Sequence, residues 1–208
     1  TGLPIVPSAL LLIALLSAVI LVGIKQSAKI AIIFTTIESL GLVFVIILGI
    51  PYLGDVDYLE MPLGFSGIFQ ASALIFFAFM GFDEMVKLSE ETKDPEKNIP
   101  QGLILAISAS IVLYTMVALS SVSVLGWERL SQSSAPFADI ALAALGESAS
   151  STISIMALFA TTNTVLLMLI ASSRIIYGMA RSGSIPRVLS RVHPVTRTPW
   201  VATLLSMT

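Results

Sequence analysis

Any chemistry in this chain centres on a glycine. Gly81 stands at the end of an apolar run, GFSGIFQASALIFFAFMGF, with no charged residue between Glu60 and Asp83; the stretch that follows, DEMVKLSEETKDPEKNIP, is densely charged. A membrane helix that loses its apolar character this abruptly reads as interrupted. The other reading is a glycine that only lets helices pack closely. Interruption would free the backbone carbonyls of Phe79 and Met80 to accept from an ammonium group, and free N–H groups to donate. Phe76, Phe77 and Phe79 would then pack over a bound molecule, or else face lipid and core as in other Phe-rich membrane helices. Asp83, the first charge after the run, can cap a following half-helix or titrate in a transport pathway.

Two further positions carry polar groups inside apolar runs. Glu38 lies near the middle of the run from about Ala28 to Gly49. A carboxylate there costs several kcal/mol if ionised, less if protonated or paired. It is either a neutral acid hydrogen-bonded within a bundle or a group that carries a coupling proton. The sequence ATTN, Ala160 to Asn163, puts three polar side chains into another apolar run. Threonine hydroxyls there bond back to their own helix or face a cavity where they coordinate a cation or an ammonium group.

The elements that must position these residues are membrane helices. The chain has 208 residues, 56% hydrophobic and 12% charged, with mean hydropathy +0.95. A soluble domain carries about 25% charged residues, and so few charges could not cover a soluble surface. The reading is an all-α integral membrane protein. A net charge of −2 gives no reason to expect nucleic acid as a partner; membrane lipid is the expected surrounding. No cysteine is present, and the single histidine, His193, lies in a basic loop, so neither a thiolate site nor a metal cluster is expected. No Ser/His/Asp set, His-Glu metal motif or phosphate-cradling glycine loop appears. The expectation is a non-enzyme without cofactor or bound metal.

A spanning helix needs about 20 mostly apolar residues. That rule predicts spans at about 8–24, 28–49, 64–91 (broken near 78–82), 99–126 and 151–177, with a further one starting at 199–208 and cut short. Between the fourth and fifth, ADIALAALG has a helical pattern too short to cross. Basic residues alternate between the connecting segments. Lys25, Lys29, Lys87, Lys93, Lys97, Arg174, Arg181, Arg187, Arg191 and Arg197 fall on one side, and only Arg129 on the other. The excess of Lys and Arg marks the cytoplasmic side, which places loops 25–29, 87–98 and 178–198 there in a multi-pass protein of the cell membrane. The whole of 1–208 reads as one transmembrane transport domain, a piece of a longer chain.

The run FFAFMGFDEMVKLSEETKDPEKNIP resembles the signature of the amino acid–polyamine–organocation superfamily, the amino acid permeases. GIKQSAKIAIIFTTIESLGLVFVI resembles that family's fifth helix with its basic entry. IASSRIIYGMARSGSIPRVLSRVHPVTRTPWVA resembles the connection between its eighth and ninth helices. The resemblance covers essentially the whole chain, as helices four to eight and the start of nine. It implies an incomplete bundle of the five-plus-five inverted-repeat transporter type, with helix six broken at Ala78 to Phe82. It implies that backbone carbonyls at Ala78, Phe79, Met80, Gly81 and Phe82 hold the amino group of an amino acid, with Phe77 or Phe79 as the closing aromatic. Asp83 matches an acid suggested to help in proton or substrate coupling. Proton-coupled members often carry a lysine in helix five, facing helix eight, where this chain has Glu38; Thr161 and Thr162 would line the helix-eight side. Either Glu38 is a titrating replacement, or coupling differs, or the register is shifted. The implied function is secondary active transport of amino acids by alternating access, as proton symport or as exchange (antiport) against a counter-substrate. A polyamine or inorganic-ion carrier, or a non-transporting receptor or channel subunit, is the alternative.

Overall fold

The computed structural model describes residues 4–79, 81, 92–194 and 196–207. Met80, Phe82, Asp83 and the expected second half of the broken helix, to residue 91, lie outside the described residues. Those described are helices, short 3-10 turns and connections, with no strand among them. Three segments, Ile24–Tyr52, Pro95–Gln132 and Glu147–Ser182, are long and apolar enough to cross a membrane. The protein is an all-α integral membrane protein. It divides into two compact units, Thr1–Ser39 with Met156–Thr208, and Leu40–Ile155.

In the first unit, α1 (Ile5–Val22) ends at Gly23, whose φ of 147° and ψ of 155° form a conformation open essentially to glycine alone. The chain enters α2 (Ile24–Gly49) after that single residue. Ser27 ties the joint together, its hydroxyl donating to the carbonyls of Gly23 at 3.0 Å and Val19 at 3.3 Å. Residues 25–29 are therefore the first turns of α2, which corrects the expected loop. Two lysines and a glutamine lower the local hydropathy, but the backbone there is helical.

The core of this unit is a cluster of Leu16 and Ile20 from α1, Ala31 from α2, and Leu166, Leu169 and Ile170 from the long helix Glu147–Ser182. Beyond that long helix come a 3-10 turn at Arg187–Ser190 and the short helix Trp200–Leu205. The latter packs on α1 and buries Ala202 and Thr203 completely.

In the second unit, the rest of α2 runs through a 3-10 turn at Ile50–Tyr52. A loop leads to α3 (Gly64–Ala78) and then to α4 (Pro95–Gln132), which kinks at Gly126, where φ is 73° and ψ 156°. The short helix α5 (Pro136–Leu145) buries Ile140 and Ala141 and packs on α4. Gly146 then turns the chain into α6 (Glu147–Ser182), which leaves the six-residue Trp200–Leu205 as α7. Where α2 meets α4 the backbones nearly touch. A Cβ at Gly49 would lie 2.3 Å from Ser120 Cβ and 2.6 Å from Ser120 Cα. The Ser120 hydroxyl donates across this contact to the carbonyl of Ile46 at 3.3 Å. Small residues at such crossings are how membrane helices approach closely enough to gain dispersion energy.

Helix ends differ from the sequence expectation by several residues. α4 begins at Pro95, with proline in the first helical positions where its missing N–H costs nothing. α6 starts at Glu147 and continues to Ser182, so parts of the expected loops 87–98 and 178–198 are helical turns.

Candidate functional site

In the second unit the candidate site is the C-terminal end of α3. The helix is only 15 residues long, about 22 Å at 1.5 Å per residue, which is short of the about 30 Å hydrocarbon core of a bilayer. It stops at Ala78. The N–H of Phe79 turns back to the carbonyls of Phe76 and Phe77, the first of these at 3.1 Å, which tightens the last turn. Two residues further on, Gly81 has φ 107°, a conformation that L side chains rarely adopt. A Cβ there would meet no atom within 4 Å. Among the described residues, glycine at 81 therefore answers to a backbone requirement and not to crowding.

The three aromatics at the end of α3 separate. Phe79 is half-buried and packs edge-on to Tyr114 of α4, with centroids 5.4 Å apart and planes at 65°, an arrangement favoured by the ring quadrupoles. Phe76 and Phe77 are 66% and 67% exposed. Of the two aromatics expected to close a site, Phe79 is thus anchored to a neighbouring helix and Phe77 is exposed among the described residues. The carbonyls of this last turn carry the partial negative charge of a helix C-terminus, which favours an ammonium group.

In the first unit the candidate coupling residues lie on α2 and α6. Glu38 is half-buried. The hydroxyls of Thr161 and Thr162 donate to their own helix, to Ala157 at 3.0 Å and Leu158 at 2.7 Å, and their oxygen lone pairs stay available as acceptors. The group that crosses between helices is Asn163. Its Nδ2 donates to Thr35 Oγ1 of α2 at 2.9 Å, and Phe34 and Phe159 pack at 5.4 Å beside it. Asn163 is 3% exposed, and its Oδ1 is buried without a hydrogen-bond partner among the described residues. Thr35 pairs with Asn163 while Ala31 clusters with Leu166, Leu169 and Ile170, so the two helices run antiparallel. Glu38 therefore falls one turn beyond the Thr35–Asn163 bond, level with the turn that carries Phe159 to Thr162.

Sequence reasoning grouped Asn163 with the two threonines but missed that it, and not they, joins the helices. The available signal was chemical: a threonine can satisfy its donor on its own helix, whereas an amide in an apolar run must find partners elsewhere. Tyr114 was missed altogether, since one tyrosine in an apolar helix gives no sign of its neighbour. No cluster of three or more His, Asp or Glu suited to a metal occurs among the described residues.

Comparison with known proteins sets this geometry in context. The profile described as amino acid permease matches residues 6–208. The chain is 32% identical over 196 residues to the branched-chain amino acid permease BcaP of Bacillus subtilis (strain 168), covering 94% of this chain and 42% of that protein. It is 32% identical over 200 residues to the methylthioribose transporter of the same organism, covering 95% and 43%. Similarity to cationic amino acid transporter 4, vacuolar, of Arabidopsis thaliana is 29% over 214 residues, covering 98% and 35%. The chain thus spans less than half the length of these relatives.

Proposed function

This chain belongs to the amino acid permease family, and from that premise we propose that the protein it forms part of is a secondary active transporter moving amino acids by alternating access. The observation that carries the reading is the end of α3, which supports a helix break at this place. An apolar helix too short to cross stops at Ala78, and two residues beyond Phe79 the backbone takes a glycine conformation at Gly81. Broken helices at membrane depth are tolerated where they line a cavity, and transporters place substrate groups at such ends. In this reading the carbonyls of Ala78 and Phe79, with those of Met80, Gly81 and Phe82, take the substrate ammonium. Phe77 closes over the substrate, and Phe79 holds the helix end against Tyr114.

Coupling is by proton symport or by exchange, with Glu38 as the group that gains and loses the proton. Its support is a carboxyl on a membrane helix, half-buried, one turn from a cross-helix bond that fixes α2 against α6. Thr161 and Thr162 offer acceptor oxygens level with it, and Asp83 follows the break in sequence. The protein sits in the cell membrane with residues 25–29, 87–98 and 178–198 on the cytoplasmic side. The names of the relatives make branched-chain amino acids the first substrates to test, with cationic amino acids and methylthioribose after them.

The test is uptake into proteoliposomes holding the full-length protein, with labelled amino acids and with or without an inward proton gradient. Gradient-stimulated uptake supports the proton-coupled reading. Uptake that requires amino acid inside means exchange. Absence of uptake for every amino acid overturns the proposal and leaves a polyamine, ion or methylthioribose carrier, or a receptor.

A further inference from the structure

A second site lies in the second unit, away from the break. A cavity of about 450 Å³ opens between the N-terminal half of α3, the later turns of α4 and the loop before α3. This is within the range of roughly 300–1,000 Å³ typical of small-molecule sites. Its lining is largely apolar, Ile68 of α3 and Leu119 of α4 included, and also carries Asp57, Glu60, Tyr58 and Trp127.

The polar part of the lining is fixed by hydrogen bonds that do not consume its acids. Trp127 Nε1 donates to Glu60 Oε2 at 3.2 Å, and the N–H of Leu59 donates to Asp57 Oδ1 at 2.9 Å. Tyr58 is locked in a relay. The N–H of Gly54 donates to its oxygen at 2.9 Å, and its hydroxyl meets Ser123 Oγ at 2.7 Å. Since Ser123 donates onward to the carbonyl of Leu119 at 2.7 Å, Tyr58 is the donor in that pair. Each carboxylate can accept about four hydrogen bonds, so each keeps acceptor capacity after the bonds described.

We infer that this cavity binds an organic monoamine with an apolar tail. Among the described residues, the lining holds two carboxylates and no Lys, Arg or His. An ammonium group offsets part of that negative charge, with the Trp127 and Tyr58 rings adding cation–π attraction, and the apolar remainder of the lining suits an alkyl tail better than a second ammonium group. A zwitterionic amino acid fits less well, because its carboxylate would meet two like charges without a cation to offset them. The inference rests on the second unit alone and is independent of which substrate is transported.

The test is equilibrium binding of labelled 3-methylbutylamine to the full-length protein in detergent, with and without saturating leucine. The amine is leucine without its carboxylate, so the pair isolates the charge argument. The expected result is saturable binding, about one per chain, that leucine does not displace. Glu60→Gln should weaken it about tenfold or more, as expected for loss of a charged partner, and Asp57→Asn should weaken it in the same direction, with both variants keeping wild-type thermal stability. Non-saturable binding overturns the proposal, as does full displacement by leucine or binding unchanged in both variants. Absence of binding overturns it too, since another part of the full-length chain or a lipid tail would then fill the cavity.

Discussion

Asn163 and Thr35 form a side-chain hydrogen bond between α6 and α2, 2.9 Å long, and the amide oxygen of Asn163 stays buried with no partner among the described residues. Interhelical hydrogen bonds in membrane proteins average about 0.6 kcal/mol, while a buried polar atom left without a partner costs about 1–3 kcal/mol. The open acceptor therefore outweighs the bond that is made. Asn163→Leu should leave thermal stability of the full-length protein in detergent unchanged or slightly raised, while lowering uptake. A drop in stability with normal uptake would assign Asn163 to packing alone.

Glu38→Gln keeps size and hydrogen-bonding capacity but cannot carry a proton. If Glu38 carries the coupling proton, uptake by this variant should lose its dependence on external pH while exchange across equal pH persists. An unchanged pH profile in proteoliposomes would return Glu38 to a structural role.

At Gly81 the two substitutions Gly81→Ala and Gly81→Leu should have similar consequences. Among the described residues nothing lies within 4 Å of a Cβ there, but φ is 107°, and holding a non-glycine residue in such a region costs about 1–3 kcal/mol. Both variants should insert normally into the membrane and lose about tenfold or more in uptake, a factor of ten being 1.4 kcal/mol. Normal uptake by Gly81→Ala would detach function from the break.

Gly49→Ala is predicted to act on stability and not on transport chemistry. Its methyl group would meet Ser120 Cα as well as the Ser120 side chain, so trimming Ser120 to glycine should not rescue it. Overpacking of this kind costs about 1–3 kcal/mol, read as a lowered melting temperature in detergent for both the single and the double variant.

The end of α3 near Ala78 and the glycine conformation at Gly81 were legible because the apolar run gives way to a charged stretch there, and that is a composition change. The joint at Gly23 was not legible in the same way. Lys25, Gln26 and Lys29 look like a loop by hydropathy, but lysine and glutamine are good helix formers, and a single glycine was enough to make the turn. The kink at Gly126 was hidden for the reverse reason. A change of two dihedral angles inside a long helix leaves hydropathy as it was. Which member of the ATTN cluster reaches α2 was legible only through chemistry, since an amide, unlike a threonine hydroxyl, cannot satisfy itself on its own helix; the rotation of α6 that aims it at α2 is encoded in no local pattern.

The joint at Gly23 also bears on how the protein is made. With one residue between α1 and α2, no slack exists for one helix to be threaded into the bilayer and the other to follow later. The pair should enter as a unit, the joint tied by the Ser27 hydroxyl to the carbonyls of Gly23 and Val19. Biogenesis should therefore treat α1 and α2 as one insertion event. A spacer of several residues placed after Gly23 should convert that event into two, read as separate membrane insertion of α1 and α2.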